Sequence, residues 1–392
     1  MNDLNWKSDT KQENDLPKIN WDALRAYASC VKSGQYHGNS NEQSELKCEI
    51  LPIYSMGGRH LVRLLEFSDG TKWVARIQLH QTTPDSQKLL LFEKDTLCVI
   101  REQTTIPVPR VLAYEICQEQ IGRPFMIMEF IPGSTAMNAF GGPQIHGGEV
   151  PLQYKAKFHS DIAKIHTSMA SVRFPKIGMI SRIDDGSYDI SPIPGLGGPF
   201  ETAHEYFMAW IQNARFSTTT DDIRSQVPPS LADELILSIQ QFPSRFGDAL
   251  EEISLSPGPF PLRHPDFYHS NVIIDKEFNI LSIIDWEGAS TVPWEAIQFP
   301  MFLYTVPRPI DLPSKYNHEG YPISPEVRER WEERQKYVEF VRAAEFHGSH
   351  DCKLSTILDS QEVQNLATSI RLYEEEGKVG YYCRLFEKKN GH

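Results

Sequence analysis

The stretch that decides the reading is Arg263-His264-Pro265-Asp266-Phe267-Tyr268-His269-Ser270-Asn271-Val272-Ile273-Ile274, followed by Ile283-Ile284-Asp285-Trp286-Glu287. Residues 272–285 between and within them read as an apolar β-hairpin, an island in an otherwise helical region. An Asp, an Asn five residues later and an Asp beyond a hairpin form a set of oxygen donors. Phosphoryl transfer needs a carboxylate near the acceptor's proton and oxygen ligands for a divalent cation. Magnesium is served by one or two carboxylates, with phosphate and water completing its shell. On that reading Asp266 accepts or orients the acceptor proton, and Asn271 and Asp285 hold the metal that bridges the phosphates. Plainer readings stand beside it. His264 and Asp266 can form a buried polar pair in a turn, Asp285 can cap a strand end, and Glu287 can be either a supporting contact or a solvated side chain.

Upstream, the pattern from Cys48 is one of short β-like runs. CEILPIYS, HLVRLLEF and KWVARIQL are three strands, the last two joined by Ser68-Asp69-Gly70-Thr71, a hairpin signal with Asp-Gly at its centre. A helix follows from about Ser86 to Gln103, with Leu90, Leu97, Cys98 and Ile100 approximating one face, and Ile106-Pro107-Val108-Pro109 ends it. RVLAYEICQ and RPFMIMEFI supply two more strands, and Pro132-Gly133 a turn and hinge. Asn20 can cap a helix running towards Ser33 and Gly34; residues 1–17 read as a flexible tail, 34–46 as a linker and 140–151 as a loop. Beyond these, residues 158–169 place Phe158, Ile162, Ile165 and Met169 on one helical face, and 201–215, 230–248, 325–346 and 361–386 are further helices.

Length and composition bound the function. A chain of 392 residues is too long for one small core and suggests two lobes. Lys plus Arg is 39 and Asp plus Glu is 52, a net charge of −13, which argues against a general nucleic-acid binder. No stretch has the roughly 18 apolar residues that cross a membrane, and the polar, acidic start is no secretory signal. Six scattered cysteines without a CxxC pair fit free thiols in a reducing compartment, so a cytoplasmic location is expected.

HPDFYHSN followed by IIDWE resembles the HxDxxxxN and IDxE elements of the aminoglycoside phosphotransferase family, a branch of the kinase-like fold. MGGRHLVRL resembles its nucleotide-covering loop, Trp73-Val74-Ala75-Arg76-Ile77 its third strand, the segment from Glu93 its helix C, and FMIMEFIPG its interlobe hinge. The likeness spans roughly residues 46–300, weakens in the C-terminal helices, and is greatest to a broad fungal-type branch. It implies an α+β, two-lobed protein-kinase-like fold, with a small β-rich N-lobe over 46–132 and a larger, mainly helical C-lobe over 133–392, after an N-terminal tail and helical extension over 1–45. It further implies ATP and Mg²⁺ as cofactors and a small-molecule acceptor as partner. Gly57 and Gly58 would cover the phosphates, Arg76 aligned by Glu93 would contact them, and the backbone of Glu129 and Ile131 would meet the adenine. His264 would organise the backbone.

Two positions depart from the family pattern. Arg76 stands where kinase relatives usually place Lys; it keeps the charge, but its planar fork differs in reach and geometry. Tyr268 stands where antibiotic-modifying relatives often carry His, which argues against transferring their resistance role directly to this chain. The alternatives are a kinase-like nucleotide-binding protein without efficient transfer, and a kinase-like scaffold serving a non-phosphoryl step. The acidic residues Asp184, Asp185, Glu201 and Glu374-Glu375-Glu376 read as solvated faces, and Trp286, Trp294 and Tyr304 as core aromatics.

Overall fold

The computed structural model of the chain describes residues 7–8, 19–34 and 46–387. They gather into two units. The first takes in residues up to Phe158 together with Ile180–Tyr188 and Pro265–Ala289; the second holds His159–Met179, Asp189–His264 and the residues from Ser290 on.

The first unit is built on an antiparallel sheet of β1 (Lys7–Ser8), β2 (Cys48–Met56), β3 (His60–Phe67), β4 (Lys72–Gln78), β5 (Val111–Glu115) and β6 (Phe125–Glu129), in the order β1-β2-β3-β4-β6-β5. The expected Asp-Gly turn joins β3 to β4. Gly70 takes φ +81°, and the Asp69 carboxylate accepts the Thr71 N–H at 3.0 Å. Most of the expected tail and linker lies outside the described residues, but Lys7–Ser8 within the tail pairs with β2.

Strand parity decides what each face of the sheet meets. Ala75 and Ile77 of β4 share a face with Leu61, Phe125 and Ile127 in one hydrophobic cluster. Helix α1 (Trp21–Lys32), capped by Asn20, packs into the same cluster through Leu24, Tyr27 and Ala28. Tyr27 meets Phe125 edge to face at 5.1 Å. Thus α1 completes the core of this unit. Arg76, one residue out of phase, lies on the opposite face, where α2 (Pro84–Gln103) runs. That helix begins two residues before the sequence expectation. A reciprocal Thr83–Ser86 capping box and Pro84 in the first turn fix its start.

A second small sheet, β7 (Ser134–Thr135), β12 (Val272–Ile274) and β13 (Ile280–Ile283), belongs to the same unit. A Cβ on Gly133 would lie 2.6 Å from both the Ile274 carbonyl oxygen and Ile273 Cγ2. The glycine that the sequence suggests as a hinge is therefore needed for close backbone approach. The expected loop over 140–151 contains the short helix α3 (Gly142–His146). The chain leaves the unit within α4 (Leu152–Ser171) and returns to it over 180–188, between β9 (Met179–Arg182) and β10 (Tyr188–Ser191), with β8 (Arg173–Phe174) preceding them.

The second unit is largely helical: α5 (Ala203–Asn213), α6 (Thr220–Gln226), α7 (Pro229–Leu250), α8 (Pro325–His347), α9 (Lys353–Asp359) and α10 (Gln361–Arg371). β11 (Phe260–Arg263) lies between β8 and β14 (Ser290–Thr291). Its core is aromatic, with Phe207, Trp210, Phe242, Phe246, Tyr373 and Tyr382 in mutual contact. The single helix expected over 361–386 is instead broken. After α10 the chain makes a wider helical turn over Leu372–Glu376 and reverses at Gly377, φ +55°. The acidic run there is partnered: Glu374 accepts the Trp210 indole N–H at 2.7 Å, and Glu376 pairs with Arg371 at 3.0 Å.

Leu24 is fully buried at the α1–sheet contact. Leu24→Ala should lower unfolding free energy by about 2–5 kcal/mol, read from the denaturant midpoint at unchanged slope.

Candidate active site

All the residues singled out for phosphate, metal and proton chemistry lie in the first unit. The segment after Pro265 turns tightly: the Tyr268 N–H donates to the Asp266 carbonyl at 2.8 Å, and the Asn271 N–H to the Tyr268 carbonyl at 3.0 Å. This turn brings Asn271 back onto Asp266. Asn271 Nδ2 donates to the Asp266 carbonyl at 2.9 Å and to its carboxylate Oδ2 at 2.8 Å. With the amide nitrogen held there, Asn271 Oδ1 faces away from Asp266 as an oxygen donor. The Ile284 N–H donates to the Asn271 carbonyl at 2.9 Å, and the Ile283 N–H to the Pro107 carbonyl at 2.8 Å. Two backbone bonds thus tie the strand that carries Asp285 to Asn271 and to the turn after α2.

Asp285 itself takes φ +65°, a left-handed conformation that few non-glycine residues adopt. Its carboxylate remains about half exposed, and its Oδ1 lies 2.5 Å from Arg76 Nη2. Trp286 is buried beneath it and donates its indole N–H to the Ile283 carbonyl at 3.1 Å.

Arg76 is the centre of the cluster. Nη1 pairs with Glu93 of α2, and Nη2 reaches Asp285 and, at 3.3 Å, Glu287. Burial opposes its charge, but Glu93, Asp285 and Glu287 outweigh that effect and hold the guanidinium above its ordinary pKa. Glu93 is only 3% exposed, and burial pushes its carboxyl up to about 7 against the pull of Arg76. Arg59 pairs with Glu287 at 3.0 Å, and His60 Nε2 lies 3.3 Å from the same carboxylate. Burial first, and then the nearby Arg76 and Arg59, lower the His60 pKa to about 2, so the imidazole is neutral. Two arginines therefore face three carboxylates, of which Glu93 is the one that burial drives towards its neutral form.

Asn271 Oδ1 and the exposed part of Asp285 are oxygen donors that fit a hard divalent cation completing its shell from phosphate and water. Among the described residues no group of three or more His, Cys, Asp or Glu gathers into a self-sufficient metal cage.

The remaining expected residues are placed as follows. Gly57 and Gly58 form the β2–β3 turn, closed by the Gly57 N–H to the His60 carbonyl at 3.0 Å. A Cβ on either would meet nothing within 4 Å, so both backbones are open to approach. Glu129 ends β6 opposite Trp73, and its N–H donates to the Arg110 carbonyl at 2.9 Å. Ile131 follows, half-buried. His264 is buried, as are Trp286 and Trp294. His269 is buried too, its Nε2 bonded to the Gly148 carbonyl, which makes it a support of the loop. Sequence reasoning missed Arg59 and His60 as partners of Glu287. Their position directly after the glycine pair is the one signal that pointed to them.

The chain belongs to the phosphotransferase enzyme family, whose model (APH) matches residues 54–294, more than half of its length. Solved structures with a similar path include a protein of Ralstonia eutropha JMP134 provisionally named an aminoglycoside phosphotransferase (13% identity, 94% of each chain covered, TM-score 0.46). They also include the GDP complex of aminoglycoside 2'-phosphotransferase-IIIa (15% identity, 91% of this chain and 94% of that chain, TM-score 0.44). A third is the amicoumacin kinase hAmiN with AMP-PNP, Ca²⁺ and Ami (11% identity, 94% of this chain and 93% of that chain, TM-score 0.39). No curated protein matches the chain.

The cluster makes an asymmetric prediction. Arg76→Ala strands Glu93 buried without its cation and should cost about 3–5 kcal/mol. Glu93→Ala leaves Arg76 two other carboxylates and should cost clearly less. Thermal unfolding of both variants and the double variant checks this; the double variant should be more stable than Arg76→Ala alone.

Proposed function

We propose that the protein is an ATP- and Mg²⁺-dependent phosphotransferase that acts on a hydroxyl group of a small molecule. The observation that carries the reading is the Asp266–Asn271 bond next to the Ile284–Asn271 backbone tie. The first holds the Asp266 carboxylate against Asn271 on one turn, and the second ties that turn to the segment that carries Asp285, which supports a proton acceptor beside two metal-ligating oxygens. Asp266 would orient the acceptor hydroxyl and take its proton as the new P–O bond forms, with Asn271 fixing the carboxylate's direction. Asn271 Oδ1 and Asp285 would hold Mg²⁺, which when bound neutralises charge on the phosphate oxygens. The open turn at Gly57-Gly58 would lie over the phosphates. Because the Glu129 N–H is already engaged by Arg110, the adenine contacts would come from the Glu129 carbonyl and the Ile131 N–H. A cytoplasmic location remains part of this proposal; among the described residues no helix is long and apolar enough to cross a membrane.

Arg76 favours one second reading. Its guanidinium is bonded to Asp285, the carboxylate proposed for the metal, and to Glu93. A nucleotide-binding protein with poor transfer would keep that bond; a working transferase would exchange it for phosphate.

Calorimetry with ATP separates these outcomes. Mg²⁺-dependent binding to the wild type should be lost in Asp285→Ala. Asp266→Ala should bind ATP within a few-fold of the wild type, yet lower the yield of phosphorylated products from a metabolite panel by roughly 10²–10⁴-fold, read by mass spectrometry. Equal yield in Asp266→Ala removes that residue from the chemistry. Binding without any product across the panel selects the second reading.

A further inference from the structure

Of the two arginines in the charged cluster of the first unit, one is committed and the other is not. Arg76 is only 10% exposed, and both of its arms are engaged, Nη1 on Glu93 and Nη2 on Asp285 and Glu287. Releasing Asp285 to a metal still leaves one arm on Glu93, and withdrawing that arm would strand a buried carboxylate. Arg59 differs at every point. Its side chain is 68% exposed, and it stands directly after the open Gly57-Gly58 turn. Among the described residues Nη1, 3.0 Å from Glu287 Oε1, is its one bonded side-chain nitrogen.

The backbone beneath Arg59 is fixed. The Gly57 N–H donates to the His60 carbonyl at 3.0 Å, and the Leu79 N–H, just past β4, to the Arg59 carbonyl at 2.9 Å. Movement is therefore left to the side chain. Its departure does not strand Glu287 either. That carboxylate is 11% exposed and keeps two other nitrogen partners, His60 Nε2 and Arg76 Nη2, each 3.3 Å from its Oε2. An ion pair with so exposed a cation contributes little to stability, so trading it for a better partner costs little.

Position defines that partner. Glu287 lies two residues beyond Asp285, the carboxylate proposed for the metal, and Arg59 borders the turn proposed to lie over the phosphates. A guanidinium there, with Nη2 and Nε still to spend, matches a phosphate group. It can grip one through two parallel N–H···O bonds, against the single contact it makes with Glu287.

We infer that Arg59 binds the distal phosphates of the nucleotide and gives up Glu287 to do so. The inference rests on the phosphotransferase reading and adds to it the cation that separates a nucleoside triphosphate from a monophosphate. All the residues it uses lie in the first unit.

Calorimetry of the full chain at fixed Mg²⁺ tests it, with ATP titrated directly and AMP read by its displacement of ATP. Arg59→Met removes both the charge and the fork. It should weaken ATP binding by roughly tenfold or more and leave AMP within about twofold of the wild type. The unfolding temperature should stay nearly unchanged. A merely structural role for Arg59 would weaken ATP and AMP alike. Arg59→Lys, which keeps the charge without the fork, should fall between the wild type and the methionine variant. Arg59→Gln should match Arg59→Met and serves if the methionine variant does not fold. ATP binding within about twofold of the wild type in Arg59→Met, equal weakening of ATP and AMP, or failure of both neutral variants to fold overturns the inference. Where the wild type binds ATP and Asp285→Ala does not, those results leave the phosphotransferase reading standing. A wild type that binds no ATP removes that reading and the inference with it.

Discussion

A buried guanidinium without negative charge is costly, and in the first unit that cost is met at Arg76. The middle strand of the sheet carries it, α2 brings Glu93, and the chain beyond β13 brings Asp285 and Glu287. Three separate stretches of sequence are therefore held to one point. The sheet's other face has no such demand and is closed by hydrophobic contact with α1. The division of labour follows from strand parity: residues one position apart on β4 serve a hydrophobic core and a charged cluster.

The same cluster frames the chemistry. An arginine carries its charge under all accessible conditions and bonds through a fork, so it can grip two carboxylates at once where a lysine offers one compact head. Holding Glu93 with one arm and Asp285 with the other, Arg76 links the position of α2 to that of the carboxylate proposed for the metal. Asp266 and Asn271 stand outside this grip. Their geometry is set by the turn after Pro265 and by the backbone bond from Ile284, the neighbour of the Asp285 that Arg76 holds.

Much of this was legible in the residues. The alternation in HLVRLLEF and KWVARIQL, the Asp-Gly turn between them and the prolines after α2 are local signals, and each appears in the fold where the pattern placed it. The order Asp266, Asn271, hairpin, Asp285 was legible because its parts are close in sequence. Most of what escaped was set by partners far away in the chain. Arg59 and His60 stand after the glycine pair, but their meeting with Glu287 is not written locally; the break over 361–386 was signalled by Gly377 and overlooked. Gly133 was visible as a glycine, but the reason for it, the carbonyl of Ile274, belongs to a strand some 140 residues later.

The first unit is discontinuous, and that has a consequence for how the protein is made. Its sheet is complete once β6 has been synthesised, yet the contact from Arg76 to Asp285 closes a separation of 209 residues. Until residues 265–289 emerge from the ribosome, the growing chain carries Arg76 and Glu93 as a lone pair, while about half of the helical unit is being added in between. Long-range closures of this kind come late and leave intermediates exposed. The site is therefore assembled after the framework around it, and a nascent chain stalled before residue 265 would hold a formed sheet with no chemistry attached.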